Sequence, residues 1–258
     1  MKKVFLVISI VFIAISFLAQ DVFYLYKKNS PATYFEISKV DSISLVPPKT
    51  TAIKNGHQWV DLGLPSGVKW ATCNVGADSP EGYGNYFSWG EISTKYNYNW
   101  SYYKWNNGSS STDMTKYCAS NNYGTKDDKK TLELSDDVVR SEWGSNWRMP
   151  TSKEIKELCT ECIWTWTSNY NGTGVAGMIV SSKNYYNTPH IFFPAAGYID
   201  GTTKKEVGSV GKYWSSSLYF YSSSYSSNSA INLKISSGGE NTNDEERRLG
   251  FTIRGVCP

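Results

Sequence analysis

The side chains in this chain best placed to do chemistry are aromatic and hydroxylic rather than ionic. From Tyr213 to Asn228 the sequence runs Tyr-Trp-Ser-Ser-Ser-Leu-Tyr-Phe-Tyr-Ser-Ser-Ser-Tyr-Ser-Ser-Asn. Tyrosine offers a broad amphipathic contact at modest entropy cost, and serine and asparagine adapt their hydrogen bonds to what they meet. Aromatic rings of this kind cover the apolar face of a pyranose while hydroxyls and amides meet its oxygens. Trp214, Tyr219, Tyr221, Tyr225 and Asn228 are therefore candidate ligand contacts. The competing reading is a surface β-hairpin with Tyr on one face and Ser on the other, in which Trp214, next to the strand-like Gly211-Lys212-Tyr213, belongs to the core. A second set, Tyr96, Tyr98, Trp100, Tyr102, Tyr103 and Trp105, has mostly even spacing, which would align four of its rings on one side of an extended strand. Trp100 and Tyr102 are the candidates from this set. Trp89 and Glu91 join them from a loop lining the same face, although Trp89 is equally suited to anchoring that loop.

Ionic and nucleophilic chemistry finds little support. The only histidines, His57 and His190, lie far apart in sequence, which disfavours a histidine metal or acid-base centre. Asp136, Asp137 and Glu142 sit where a helix begins and read as solvated cap residues. Five cysteines, Cys73, Cys118, Cys159, Cys162 and Cys257, read as structural, in disulfides or as buried thiols; the odd number leaves at least one unpaired within the chain. Cys159-Thr160-Glu161-Cys162 has redox or zinc spacing, but it lacks a second pair or a nearby histidine. Gly82-x-Gly84 and Gly172-x-Gly174 are fragments of a phosphate loop without the full fingerprint. No catalytic residue, metal or cofactor is expected. With 26 Lys and Arg against 23 Asp and Glu in 258 residues, the chain has no charge excess to attract nucleic acid.

The first 20 residues, MKKVFLVISIVFIAISFLAQ, have the charged start and short apolar run of a secretory signal peptide. The run from Val4 to Leu18 is short for a membrane span and contains Ser9 and Ser16. The expectation is an exported protein at the periplasm, cell surface or outside the cell, with no membrane span once the signal is cleaved and an oxidising environment for its cysteines.

These side chains must be positioned by many short elements. Val22 to Tyr26, Tyr34 to Ile37 and Val40 to Leu45 read as strands of a small β segment over residues 21–50, followed by a linker from Lys49 to Asn55. The main domain is assigned to residues 51–258, its first clear motif starting at His57. Residues 74–105 read as aromatic-pinned loops, residues 106–131 as a mobile polar surface, and Asp244 to Arg248 as a solvated turn. Two helices are expected: one opening near Ser135, and one with Thr151 and Glu154 at capping-box spacing and Ile155, Leu158, Cys159 and Cys162 on one face. Strands are expected over 177–180, 190–193, 197–199, 211–215, 230–235 and 249–256, which makes the class α+β.

Six blocks occur in order. They are Trp59 to Gly76 (WVDLGLPSGVKWATCNVG), Tyr86 to Glu91 (YFSWGE), Trp147 to Thr151 (WRMPT), Phe193 to Tyr198 (FPAAGY), Gly211 to Ser216 (GKYWSS) and Gly250 to Gly255 (GFTIRG). Over residues 56–258 the chain resembles the Fibrobacter succinogenes major paralogous domain family of exported Bacteroidota proteins, and Asp41-Ser42-Ile43 resembles the short module often placed before such domains. The resemblance implies a C-type lectin-like fold: a twisted mixed or antiparallel sheet, two helices and a loop-rich binding face. It also implies a staple between Cys257 and either Cys159 or Cys162. The calcium-loop motifs of sugar-binding lectins are absent, as is the terminal cysteine pair of formylglycine-generating enzymes. The expected function is a non-enzymatic binding module for a glycan or a cell-surface protein, for instance in adhesion. A structural component of a surface assembly and an enzyme of the formylglycine-generating type are the alternatives.

Overall fold

In the computed structural model, residues 51–183, 189–220 and 227–258 are described in full, and strands β1 (Val22–Leu25) and β2 (Thr33–Glu36) by their backbone. The leader, residues 40–45, Tyr221 and Tyr225 lie outside the described residues. The chain divides into two compact units, Met1–Pro48 and Lys49–Pro258. In the first, β1 and β2 pair antiparallel with Phe23 opposite Phe35 and Tyr24 opposite Tyr34.

The second unit begins earlier than its first clear motif. Thr51–Lys54 is a strand, β3, rather than linker, and it pairs with β4 (His57–Val60). Asn55 and Gly56 between them take φ of 49° and 79°, the positive values that a two-residue hairpin turn requires and that Asn-Gly tolerates best. Strand β5 (Lys69–Asn74) follows, then helices α1 (Val138–Trp143) and α2 (Ser152–Glu161). Next come strands β6 (Cys162–Thr167), β7 (Gly177–Ser182), β8 (His190–Pro194), β9 (Tyr198–Asp200), β10 (Thr203–Lys205), β11 (Val210–Leu218), β12 (Ser229–Ser236), β13 (Gly239–Glu246) and β14 (Arg254–Cys257). The sheets run β14-β5-β4-β3, β6-β7-β8, β11-β12-β13 and β10-β9, with antiparallel pairing throughout. The fold class is therefore α+β.

Helix α1 starts later than Ser135. Leu134–Asp136 forms a 3-10 turn, and Asp137 is the N-cap, its carboxylate accepting the Arg140 N–H at 3.1 Å. In α2 the capping box forms as its spacing predicts. Glu154 N–H donates to Thr151 Oγ1 at 3.3 Å, and Thr151 N–H donates back to the Glu154 carboxylate at 2.8 Å. Ile155 and Leu158 are buried on its inner face, whereas Cys162 already opens β6.

Strand β11 divides two apolar clusters because successive residues of a strand point to opposite faces. Tyr213 packs with Ile155, Leu158, Phe193 and Val256; Trp214 packs with Trp89, Trp147, Phe251 and Cys257. Strand β13 has no counterpart in the sequence reading. Its segment, Gly-Glu-Asn-Thr-Asn-Asp-Glu-Glu, is poor in strand-forming types but pairs along its whole length with β12. It lies at the edge of its sheet, where charged side chains discourage further strand pairing. The expected strand at 249–256 is confined to its end, Arg254–Cys257; before it, Gly250, Phe251 and Thr252 make isolated bridges to Ile199, Phe87 and Tyr213.

Residues 106–131 bury Met114, Tyr117, Cys118 and Ala119 and are folded against the core rather than lying as a loose surface. The expected solvated turn at 244–248 contains Arg247, which is fully buried. The five cysteines are free thiols, with Cys118, Cys162 and Cys257 buried, so the implied staple on Cys257 does not form. Cys257 and Cys162 belong to different apolar clusters.

Candidate binding groove

Several aromatic candidates are structural. Trp89 and Trp214 are fully buried; their indole N–H groups donate to the Ser215 carbonyl at 2.8 Å and the Phe87 carbonyl at 2.9 Å, and Trp214 stacks on Phe251 at 4.0 Å. A buried indole with its one donor satisfied has nothing left to offer a ligand. Glu91 is nearly buried and ties its loop, accepting from Lys95 Nζ and the Lys104 N–H, each at 2.8 Å. The 96–105 stretch is not an extended strand. Trp100–Tyr102 forms a 3-10 turn that splits the rings between inside and outside. Tyr98 and Tyr103 are buried, and Trp100, half-buried, meets Tyr103 edge-on at 5.7 Å. Tyr102 and Tyr96 are exposed and pack edge to face at 5.2 Å.

Tyr219 and Asn228 are half-buried beyond the facing ends of β11 and β12. The Tyr219 N–H donates to the Ser229 carbonyl, and the Asn228 carbonyl accepts from the Arg247 N–H. Next to Tyr219, Phe220 is exposed. It lines a groove of about 480 Å³ together with Ser120, Asn121, Asn122, Lys126, Asp128 and Lys130. This concavity brings an aromatic ring together with several hydrogen-bonding side chains.

The segments that lead into the groove, at Lys116-Tyr117 and Ser227, are tied together by a buried cation. The Arg247 guanidinium donates to the carbonyls of Tyr117 at 2.8 Å, Ser227 at 2.7 Å and Lys116 at 3.0 Å, and to the Tyr103 hydroxyl at 3.0 Å. Its planar fork lets one side chain satisfy several carbonyls of an irregular loop. The Asp127 carboxylate accepts the N–H groups of Tyr117, Cys118 and Lys129, at 2.9, 2.8 and 3.1 Å. Ser120 caps the 3-10 turn Asn121–Tyr123, its hydroxyl accepting the Asn122 N–H. At Gly124, φ is 133° and an added Cβ would lie 2.1 Å from the Met114 carbonyl oxygen, so glycine is required there. The Lys130 carbonyl accepts the Leu218 N–H at 2.9 Å, joining the loop to the end of β11.

The charges around the loop are largely internal. Lys116 is paired with Asp136 at 2.6 Å and with Glu133, which also holds Lys129. Hydrogen bonds from these two lysines pull the Glu133 carboxyl down to about 2. Lys126 pairs with Asp128 at 3.2 Å. Lys130 lies over the Phe220 ring, 3.4 Å from its centroid.

A smaller cleft of about 240 Å³ is lined by His57, Cys73, Asp78 and Trp143 among others. His57 stacks on Trp143 at 4.1 Å, and burial holds its pKa below the usual histidine value, so the imidazole is neutral at pH 7. It makes no hydrogen bond to Cys73 or Asp78 among the described residues, so the cleft lacks a linked nucleophile and base. Among those residues there is also no group of three His, Cys, Asp or Glu placed to hold a metal ion.

The sequence reading missed Ser120, Asn121, Asn122, Lys126, Asp128 and Lys130. The signals that could have found them are the apolar Tyr117-Cys118 pair inside a polar stretch and the turn-forming Asn121-Asn122-Tyr123-Gly124. Comparison of the chain with protein-family models, with curated proteins and with solved structures returns no match.

Proposed function

We propose that this chain is an exported, non-enzymatic binding module that takes a carbohydrate into the groove beside Phe220. The observation that carries the reading is the combination of one exposed ring with Asn, Ser, Lys and Asp side chains on a loop whose backbone is already fixed. Sugar recognition needs this pairing of an apolar shelf with convergent donors and acceptors, and a pre-ordered loop reduces the entropy lost on binding. The signal-like leader supports export. The six sequence blocks support membership of the major paralogous domain family and a C-type lectin-like fold.

The test is a screen of the full chain against immobilised microbial and host glycans, with Phe220→Ala and Asn122→Ala variants shown to be folded by circular dichroism. Loss of the shelf is expected to weaken binding about tenfold or more. A folded wild type that binds no glycan overturns the reading. Binding is expected to persist in EDTA, because the groove's one carboxylate, Asp128, is paired with Lys126, whereas a calcium ion seeks about six to eight oxygen ligands.

A second reading, attachment to a surface protein, draws on the exposed Tyr96 and Tyr102, since paired tyrosines are common anchors of protein contacts. Retention of surface attachment by a Tyr96→Ser/Tyr102→Ser double variant would reject it.

A further inference from the structure

We infer that the ligand of the groove is acidic: a glycan carrying carboxylate or sulfate groups, held through Lys130. This inference rests on the carbohydrate reading of the groove and adds the charge of its ligand.

Asp127 keeps its charge but turns its carboxylate to three backbone N–H groups and does not line the groove. Lys116 and Lys129 are matched by Glu133 and Asp136, and Lys126 is matched by Asp128. Of the three charged residues that line the groove, Lys126 and Asp128 pair with each other, and Lys130 has no carboxylate within ion-pair distance among the described residues. Residues 221–226, which follow Phe220, read Tyr-Ser-Ser-Ser-Tyr-Ser and contain no acid, so that segment supplies no countercharge whatever path it takes. The groove therefore presents a net positive charge, from an ammonium seated 3.4 Å over an aromatic ring. A ring attracts a cation without neutralising it. The ammonium thus stays available for a charge-assisted hydrogen bond to an anionic substituent, while the exposed part of Phe220 and the amides of Asn121 and Asn122 meet the sugar ring. A neutral sugar would use the shelf and the amides but leave the charge unanswered.

The experiment measures affinity of the full chain for two acidic polymers and their uncharged counterparts: polygalacturonate against its carboxyl-reduced form, and a sulfated galactan against its desulfated form. Each is measured at 20 and 500 mM NaCl with wild type, Lys130→Gln and Lys130→Arg. At 20 mM NaCl, at least one acidic polymer is expected to bind about tenfold or more tightly than its uncharged counterpart. The advantage should be lost in Lys130→Gln, kept in Lys130→Arg, and shrink at 500 mM NaCl as salt screens the contact. The arm that shows the preference identifies carboxylate or sulfate as the recognised group. Equal affinity for charged and uncharged forms overturns the inference and leaves the carbohydrate reading standing. So does a preference for acidic polymers that survives in Lys130→Gln. Absence of binding to any of the four polymers by wild type that does bind a neutral glycan overturns the inference alone. Absence of binding to every glycan tested overturns both.

Discussion

Arg247 shows how a single side chain can decide the shape of a surface it does not reach. It is fully buried, and its nitrogens serve three carbonyls and a phenol from segments far apart in sequence. Replacing it by Met would fill much of the volume and leave those acceptors buried without donors. The expected cost is about 3 kcal/mol or more, read as a lower urea midpoint together with loss of ligand binding; Lys130→Gln should leave the midpoint unchanged. At the same scale, Cys159 and Cys162 have redox spacing but the wrong acidity. Burial pushes both thiols up to about 12, and the thiolate is the reactive form. Both should alkylate roughly a thousandfold more slowly at pH 8 than an unperturbed thiol, with the rate rising as pH approaches 12. Rapid labelling of either by iodoacetamide at pH 7, followed by mass spectrometry, would contradict this.

Among the elements, α2 is the one whose start was most legible, because a capping box is local chemistry between residues three apart. The structure adds a third party: the Arg148 guanidinium forks onto the Glu154 carboxylate at 2.6 and 2.8 Å. Although burial raises the Glu154 pKa, these bonds and those from Thr151 outweigh it and hold the carboxyl below its usual range. A folded pKa below the unfolded one stabilises the protein above the unfolded value and loses that contribution as pH falls through the folded value. Thr151→Ala is expected to cost about 1 kcal/mol at neutral pH. Glu154→Gln should be less stable than wild type at pH 7, with the gap closing as pH drops below about 4, measured by denaturant midpoints across pH. Strand β13 marks the opposite limit. Its polar run carries little strand propensity of its own, and its conformation follows from the ladder offered by β12. The 96–105 segment is a third case, since even spacing suggested one strand face whereas the 3-10 turn at Trp100 sends neighbouring rings to opposite environments.

For the molecule as a whole, the second unit has two large apolar clusters divided at β11 and a smaller one around Tyr103, Met114 and Cys118, and its five thiols are unpaired. The thermal midpoint of the full chain should therefore be the same with and without a thiol reductant, and five thiols per chain should titrate in denaturant; a midpoint that falls sharply under reduction would mean the fold depends on disulfides. Much of this was open to a sequence reading. Composition, periodicity and caps determined an α+β class and the positions of most strands and of α2, because each depends on residues within a few positions of one another. The tertiary structure alone decided which aromatics are core and which are surface. It buried Trp89 and Trp214, exposed Phe220, and converted the polar 106–131 stretch into a groove wall pinned by Arg247, more than a hundred residues away. Burial and hydrogen-bond closure at that separation depend on how the chain packs, and no local pattern of residue types encodes them.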